Sequence, residues 1–390
     1  MTRTGQCAIA GVGVTEMGRI YDRSVSDFAA EAVHLALENA GLKLSDLDGL
    51  LINAGLESAL GLGFQNYLGA KDLRLLNHMN AFGSTACAMV QFAALAIQAG
   101  MASTVACVFA DAPLKPDKGG GAAYQAGGVS AYPEGQGSLM RAEGYFSATC
   151  GYALAARRHM ELFGTTEDQF GAVAVSTRAW AGKNPQAQMR DPMTLADHRQ
   201  SRYIVEPLRL LDCCLVSNGG VAVIVTSAER ARDLKQKPAY ILGMGQGHPG
   251  DGNHGGREPM IHTGARLAGE TAFRMAGIRR EDISACEIYD CYTYTVLVTL
   301  EDYGFCKKGE GGAFVENGRL GPGGSLPVNT GGGQLSGYYM WGMTPLSEAV
   351  IQMQGRGGDR QLPDPRYLLV TGNGGILSYH GCVILGSQPD

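Results

Sequence analysis

The 390-residue chain has little charge, no paired cysteine motif and no long apolar run, and each absence removes a class of function. Charged residues make up 18%, with 32 Lys and Arg against 37 Asp and Glu for a net charge of -5. No Lys/Arg run reaches the length of a nucleic-acid stripe, so no nucleic-acid partner is expected. No apolar run approaches the ~20 residues that span a bilayer, and the apolar stretch at 8–12 is broken by glycine and lacks a signal-peptide layout. No membrane partner is expected either. The ten cysteines form no CxxC pair and sit in apolar contexts such as Val105-Ala106-Cys107-Val108. That predicts free, mainly structural thiols in a reducing, cytoplasmic compartment.

The motif scan is equally sparse. There is no P-loop, no GxSxG elbow and no HExxH, and the eight histidines do not pair at metal-ligand spacing, so no metal is expected. The run Gly243-Met244-Gly245-Gln246-Gly247-His248 lacks the full dinucleotide fingerprint and its following helix. A nicotinamide cofactor is not indicated.

What is abundant is glycine, 57 residues, about double ordinary usage. The glycines cluster at 119–121, 309–312 and 331–333 without a three-residue period, which excludes collagen. Hydrophobic residues make up 45%, enough for a large dry core and against disorder.

Two distant stretches carry one pattern. Asn39-Ala40-Gly41-Leu42 follows an amphipathic helix from about Ser26, leads through a polar loop with Asp46 and Asp48, and enters the apolar Leu50-Leu51-Ile52. Met275-Ala276-Gly277-Ile278 does the same through Glu281 and Asp282 into Ala285-Cys286-Glu287-Ile288. Glycine ends a helix and a strand begins in both. A second pair agrees: 75–86 leads into a helix ending at Gly100 and then a strand at 103–110, and 326–342 leads into a helix ending at Gly355 and then a strand at 367–371. The helix over 87–99 is apolar on nearly every side and belongs at the centre of a layered protein. The chain reads as two duplicated halves, 1–235 and 236–390, with an insertion or lid at about 111–211, and the alternation of strand and helix predicts parallel sheets. Residues 118–128 within the insertion are rich in glycine and alanine, and helical patches follow near 152–163 and 168–182.

Three loops draw the chemistry together: Asn80-Ala81-Phe82-Gly83-Ser84-Thr85-Ala86-Cys87, Glu287-Ile288-Tyr289-Asp290-Cys291-Tyr292-Thr293, and the stretch from Gly331 through Tyr338-Tyr339 to Gly342. With Asn184-Pro185-Gln186-Ala187, Ser217-Asn218-Gly219-Gly220, Leu300-Glu301-Asp302-Tyr303-Gly304-Phe305, Pro327-Val328-Asn329-Thr330-Gly331 and Gly372-Asn373-Gly374-Gly375, they resemble the thiolase superfamily over essentially the whole length. The resemblance is nearest to its sterol-carrier-protein-X and lipid-transfer-protein branch. It implies an α/β thiolase fold with a five-layered α/β/α/β/α core, a homodimer, and an acyl-CoA substrate with no cofactor beyond its coenzyme A moiety.

The departures from that family are as informative as the matches. Gly83 falls where a thiolase keeps its nucleophilic cysteine, Tyr339 where the GHPxG loop has histidine, and Tyr289 where relatives carry Asn or His; Val370-Thr371 stand where the second cysteine is expected. Without a thiolate the usual acyl-enzyme cannot form. The pattern resembles the steroid side-chain aldolases, which cleave a β-hydroxyacyl-CoA into a ketone and a short acyl-CoA. Retro-aldol cleavage needs a base, a proton donor and oxyanion donors but no nucleophile.

The expected acid/base pair is therefore Tyr289 and Tyr339, with either in either role. Tyr338 takes Tyr339's place if the register slips by one, and packing is the competing role in a chain of 16 tyrosines. A tyrosine serving as base needs a lowered pKa, which helix N-termini following the loops would favour. Backbone N–H groups at Gly83, Gly374 and Gly375 are candidate enolate donors, and Asp290 is placed to orient Tyr292 or accept a proton. Cys87, a turn beyond Gly83, is the alternative nucleophile of a non-standard acyl-CoA acyltransferase, and a non-catalytic acyl-CoA or lipid-binding subunit is the third reading. His248, His254 and His262 read as loop residues and His380 as a core histidine. The resemblance also implies a small OB-fold, zinc-ribbon partner protein.

Overall fold

Strands and helices alternate along a computed structural model that describes residues 5–53, 55, 60–120, 136–250 and 260–389. Part of the glycine-rich 118–128 segment, from 121 on, and His254 lie outside the described residues. The first half holds β1 (Cys7–Val14), α1 (Val25–Ala40), β2 (Gly49–Asn53), β3 (Leu75–Met79), α2 (Thr85–Gln98), β4 (Thr104–Asp111), α3 (Ala148–Phe163), α4 (Glu167–Ala181) and β5 (Gly219–Ser227). The second holds β6 (Ala239–Gly247), α5 (Ala265–Ala276), β7 (Ala285–Glu287), α6 (Thr293–Tyr303), α7 (Met343–Met353), β8 (Tyr367–Gly374) and β9 (Tyr379–Gly386).

These strands form one sheet in the order β3-β2-β4-β5-β1-β6-β9-β8-β7. The seam between halves is short, with Ala8 opposite Tyr240 and Ile9 opposite Ala239. Outward from that seam the order repeats: β1, β5, β4, β2, β3 on one side, and β6, β9, β8, β7 on the other, where Val328 bridges Cys286 beyond β7. Directions repeat as well. β5 is antiparallel to β1 and β4, β9 to β6 and β8, while β2–β4 and β7–β8 run parallel.

The sheets are thus mixed, which corrects the expectation of parallel strands. β8 returns as β9 through a short turn at 375–378, and a hairpin admits only antiparallel pairing. β5 follows the long insertion, so no single crossover helix sets its direction.

Helix α2 packs on β2, β4 and β5 of the first half and on β8 and β9 of the second; α7 packs on β1, β5, β7 and β8 and against α2. The sheet folds around this helix pair, with α1 outside the first half and α5 and α6 outside the second. Helix, sheet, helix pair, sheet and helix succeed one another as five layers. Glycine makes the outer contacts close: a Cβ at Gly11 or Gly13 on β1 would overlap carbonyls of α1, and one at Gly243 or Gly245 on β6 would overlap carbonyls of α5. The run that superficially suggests nucleotide binding is a packing strip.

Candidate active site

Each tyrosine of the expected pair is fixed through its backbone. Tyr289 lies just past β7, where its N–H donates to Thr371 Oγ1 (3.4 Å) and its carbonyl accepts from Thr295 Oγ1 (3.1 Å). On either side of it, Ile288 N–H donates to Asn329 Oδ1 (2.6 Å), and the buried Asp290 carboxyl accepts from the N–H groups of Gln334 (2.8 Å) and Leu335 (3.3 Å). Those are residues of the loop that carries Tyr339. Tyr339 N–H in turn donates to Ser217 Oγ (3.0 Å), which also accepts from Gln188 Nε2 (2.6 Å).

The two phenols meet. Tyr289 Oη lies 3.0 Å from Tyr339 Oη, with ring centroids 6.5 Å apart at 66°. Tyr338 turns the other way, its Oη 2.8 Å from Ser347 Oγ on α7, so the pairing falls on Tyr339. Asp290 holds the Tyr339 loop, and Tyr292 Oη instead meets Thr149 Oγ1 at 2.7 Å.

Gly83 sits directly against this pair. A Cβ there would overlap the Tyr289 ring and the Asn373 carbonyl, and one at Gly342 or Gly372 would overlap Gly83's own carbonyl. The space that a nucleophile's side chain would need is filled by an aromatic ring. Gly374 packs on Ala81 and Phe82, beside Gly83, while Gly375 faces the Tyr379 ring, so the three glycines share one corner at the start of α2.

Burial governs the site's electrostatics. It pushes the Tyr289 phenol well above its ordinary 10.0, and the neighbouring Tyr339 adds to the effect. The lowered pKa expected from helix N-termini is therefore not found at Tyr289, because desolvation of a phenolate outweighs a helix dipole. Asp290 is raised to about 7 by burial, against the pull of its backbone donors. The Cys87 thiol is fully buried, raised by desolvation, and directed at the Val370 carbonyl (3.9 Å). Cys291, beside Tyr289, and Cys213, beside Cys291, are both raised to about 12, chiefly by burial. None of these thiols is set to ionise near neutral pH.

Two groups went unnoticed in the sequence. Tyr152, on α3 in the insertion, packs at a tilt against Tyr292 (4.6 Å between centroids, 35° between rings) and accepts from Asn373 Nδ2 (3.3 Å), which brings the insertion to the site. No local signal marks it, since the contact spans the chain. Phe82 and Trp341 precede Gly83 and Gly342 at φ of 50° and 47°, an αL conformation uncommon for aromatics, and their rings lie 6.2 Å apart. The paired aromatic-glycine step before each central helix was the available clue.

The histidines stand apart from the pair's chemistry. His248 contacts Gln246, His262 pairs with Asp302, and His380 is buried and lowered to about 4, hence neutral at physiological pH. Among the described residues, no group of three or more His, Cys, Asp or Glu is arranged to hold a metal ion, and no helix is long and apolar enough to cross a membrane.

Two repeated half-sheets wrapped around paired helices, with Gly83 and Tyr339 ahead of the helix starts and Tyr289 at a strand end beside them, define the class: the chain belongs to the thiolase superfamily. Residues 248–387 match the thiolase C-terminal domain-like family. Over 397 residues the chain is 37% identical to a steroid side-chain-cleaving aldolase of Thermomonospora curvata, covering 95% of this chain and 96% of that one. It is 35% identical to a 17-hydroxy-3-oxo-4-pregnene-20-carboxyl-CoA lyase of Mycobacterium tuberculosis, covering 96% and 97%. The solved Ltp2-ChsH2(DUF35) aldolase superposes with a TM-score of 0.88 at 37% identity, covering 99% of both chains.

Proposed function

We propose that the protein is a carbon–carbon lyase that cleaves a β-hydroxyacyl-CoA with a bulky, steroid-like acyl group by retro-aldol chemistry. The observation that carries this reading is the Tyr289–Tyr339 contact at 3.0 Å against Gly83, where the ring stands in the nucleophile's place. The full-length relatives named as aldolase and lyase support it.

In this reading one tyrosine oxygen takes the proton of the substrate's β-hydroxyl as the Cα–Cβ bond breaks. The electron pair of that bond passes to the thioester as an enolate, the β-carbon leaves as a ketone, and a proton delivered to Cα completes the short acyl-CoA. Tyr289, whose burial favours its neutral phenol, is the proton donor to Cα and Tyr339 the base, and the proton that Tyr339 takes from the substrate passes back to Tyr289 across their 3.0 Å contact. Backbone N–H groups at Gly83, Gly374 and Gly375 are the proposed enolate donors.

A partner protein belongs to the same proposal, supported by a solved relative whose name pairs Ltp2 with ChsH2(DUF35); that the partner is a small OB-fold, zinc-ribbon protein and that the chain forms a homodimer rest on the family resemblance. So does a cytoplasmic location.

The test incubates the purified protein, with and without such a partner, with a β-hydroxyacyl-CoA and separately with a β-ketoacyl-CoA, and weighs the products. Ketone plus short acyl-CoA from the hydroxy substrate alone supports the lyase. Thiolysis of the keto substrate with a mass-shifted Cys87 peptide would replace it with an acyltransferase, and binding without turnover would replace it with a carrier subunit.

A further inference from the structure

Behind the tyrosine pair runs a chain of buried polar groups with no part in the chemistry above. Glu287 ends β7 two residues before Tyr289 and is 1% exposed. Its Oε1 lies 2.7 Å from Thr330 Oγ1, and the same hydroxyl lies 2.9 Å from Glu348 Oε1 on α7. Gln352 Nε2 donates to that hydroxyl oxygen (3.1 Å) and to Glu348 Oε1 (3.0 Å). Arg360 closes the far end, with Nε and Nη2 on the two Glu348 oxygens at 2.9 and 3.0 Å. A Cβ at Gly331 would press on the Glu348 carboxylate, so that glycine gives the chain its room.

The protons in this chain can be counted. Thr330 has one hydroxyl proton and faces two carboxyl oxygens at hydrogen-bond distance, so it serves only one of them. The other contact needs a proton supplied from the carboxyl side. Arg360 sets its charge on Glu348, which leaves Glu287 as the acid that keeps its proton. Burial and the nearby Glu348 act in the same direction, raising the Glu287 carboxyl well above its ordinary 4.5.

The chain's position gives it a use. Glu287 belongs to the strand end that carries Tyr289, and Thr330 opens the loop that carries Tyr339. We propose that Glu287, kept protonated, is a positioning residue for the tyrosine pair: through Thr330 and Glu348 it clasps the Tyr289 strand end to the Tyr339 loop and to α7. The inference rests on reading Tyr289 and Tyr339 as the acid/base pair. The charged or titratable groups around Glu287 are Glu348 and Arg360, Cys286 and Asp290 on its own segment, and Tyr338 on the loop. Ionising Glu287 sets a second negative charge beside Glu348 and leaves one hydroxyl proton between two carboxylates, so the clasp loosens.

Two measurements on the full-length protein decide it. A difference infrared spectrum of wild type against Glu287→Gln at neutral pH should show the C=O stretch of one protonated carboxylic acid, and this readout needs no turnover. In steady-state assays, Glu287→Gln should retain kcat and flatten the alkaline fall of the wild-type profile, whereas Glu287→Ala should lower kcat about 10²-fold with KM unchanged. Thr330→Val, which spares the carboxyl, should lower kcat in the same way if Glu287→Ala does not fold. A carboxylate band in place of the acid band, or Glu287→Gln as impaired as Glu287→Ala, overturns the clasp. A wild type that shows the acid band but turns over no β-hydroxyacyl-CoA overturns the proposed function instead.

Discussion

A single oxygen on each of two side chains carries most of the proposed chemistry, which makes it testable by deletion. Tyr289→Phe and Tyr339→Phe keep ring volume and remove only Oη, so each should lower kcat by roughly 10²–10⁴-fold while near-UV circular dichroism stays native. Cys87→Ala should leave turnover near wild type, because that thiol is buried against Val370; loss of turnover in Cys87→Ala would revive the nucleophile reading. Gly83→Ala is the sharper case. Its methyl would overlap the Tyr289 ring and must displace it, so kcat should fall about 10²-fold although no catalytic atom has been removed. The two tyrosines and the glycine were legible in the sequence because each falls at a family position that carries a different residue. The direction of the Tyr289 shift was not legible, since it comes from burial and from Tyr339, and the groups around the ring, Gly83 and Tyr339 among them, are far away in the chain.

At the scale of elements, the strand end and loop that bear the tyrosines are joined by Asp290, whose carboxyl accepts from two loop N–H groups. Because burial raises Asp290 from 3.8 to about 7 in the fold, the native state holds its proton over a range where the unfolded chain has lost it. Its contribution to stability is therefore full below about pH 4 and is lost as pH rises through about 7. Asp290→Asn keeps an acceptor and removes the titration, so Tm of the variant relative to wild type should rise between pH 4 and pH 7; an unchanged difference across that window would refute the buried proton. The sequence placed Asp290 beside the pair and left its role open, since its partners lie 44 and 45 residues away. Element type was read well where glycine ends α1 and α5 at Gly41 and Gly277, both in the αL conformation. Strand direction was misread, because alternation of strand and helix says nothing about a final strand that returns through a short turn.

On the scale of the whole molecule, the sheet has two unlike ends. At the β7 end the strand is bridged by Val328, so its outer hydrogen-bonding groups have company. At the other end β3 pairs only with β2 among the described strands, and its Asn77 and His78 are exposed. An open edge of five residues invites another strand, and a second copy of β3 across a two-fold axis is the simplest one to fill it. A β3–β3 pairing of this kind is the expected form of the homodimer proposed above. Leu95 and Met101, on or just past α2, are both about half exposed and add apolar area to the surface of this half. Since Gly83 lies two residues before α2, pairing through this edge would also brace the helix that follows the turn abutting Tyr289. The expected outcome is sedimentation of the wild type as a dimer, and of His78→Pro, which removes that residue's N–H and fixes its φ within the edge strand, largely as a monomer. The monomer should keep its far-UV spectrum and lose turnover in proportion to the dimer lost, regaining both at high protein concentration. Dimers of His78→Pro as tight as those of wild type would place the interface elsewhere and leave the β3 edge unexplained.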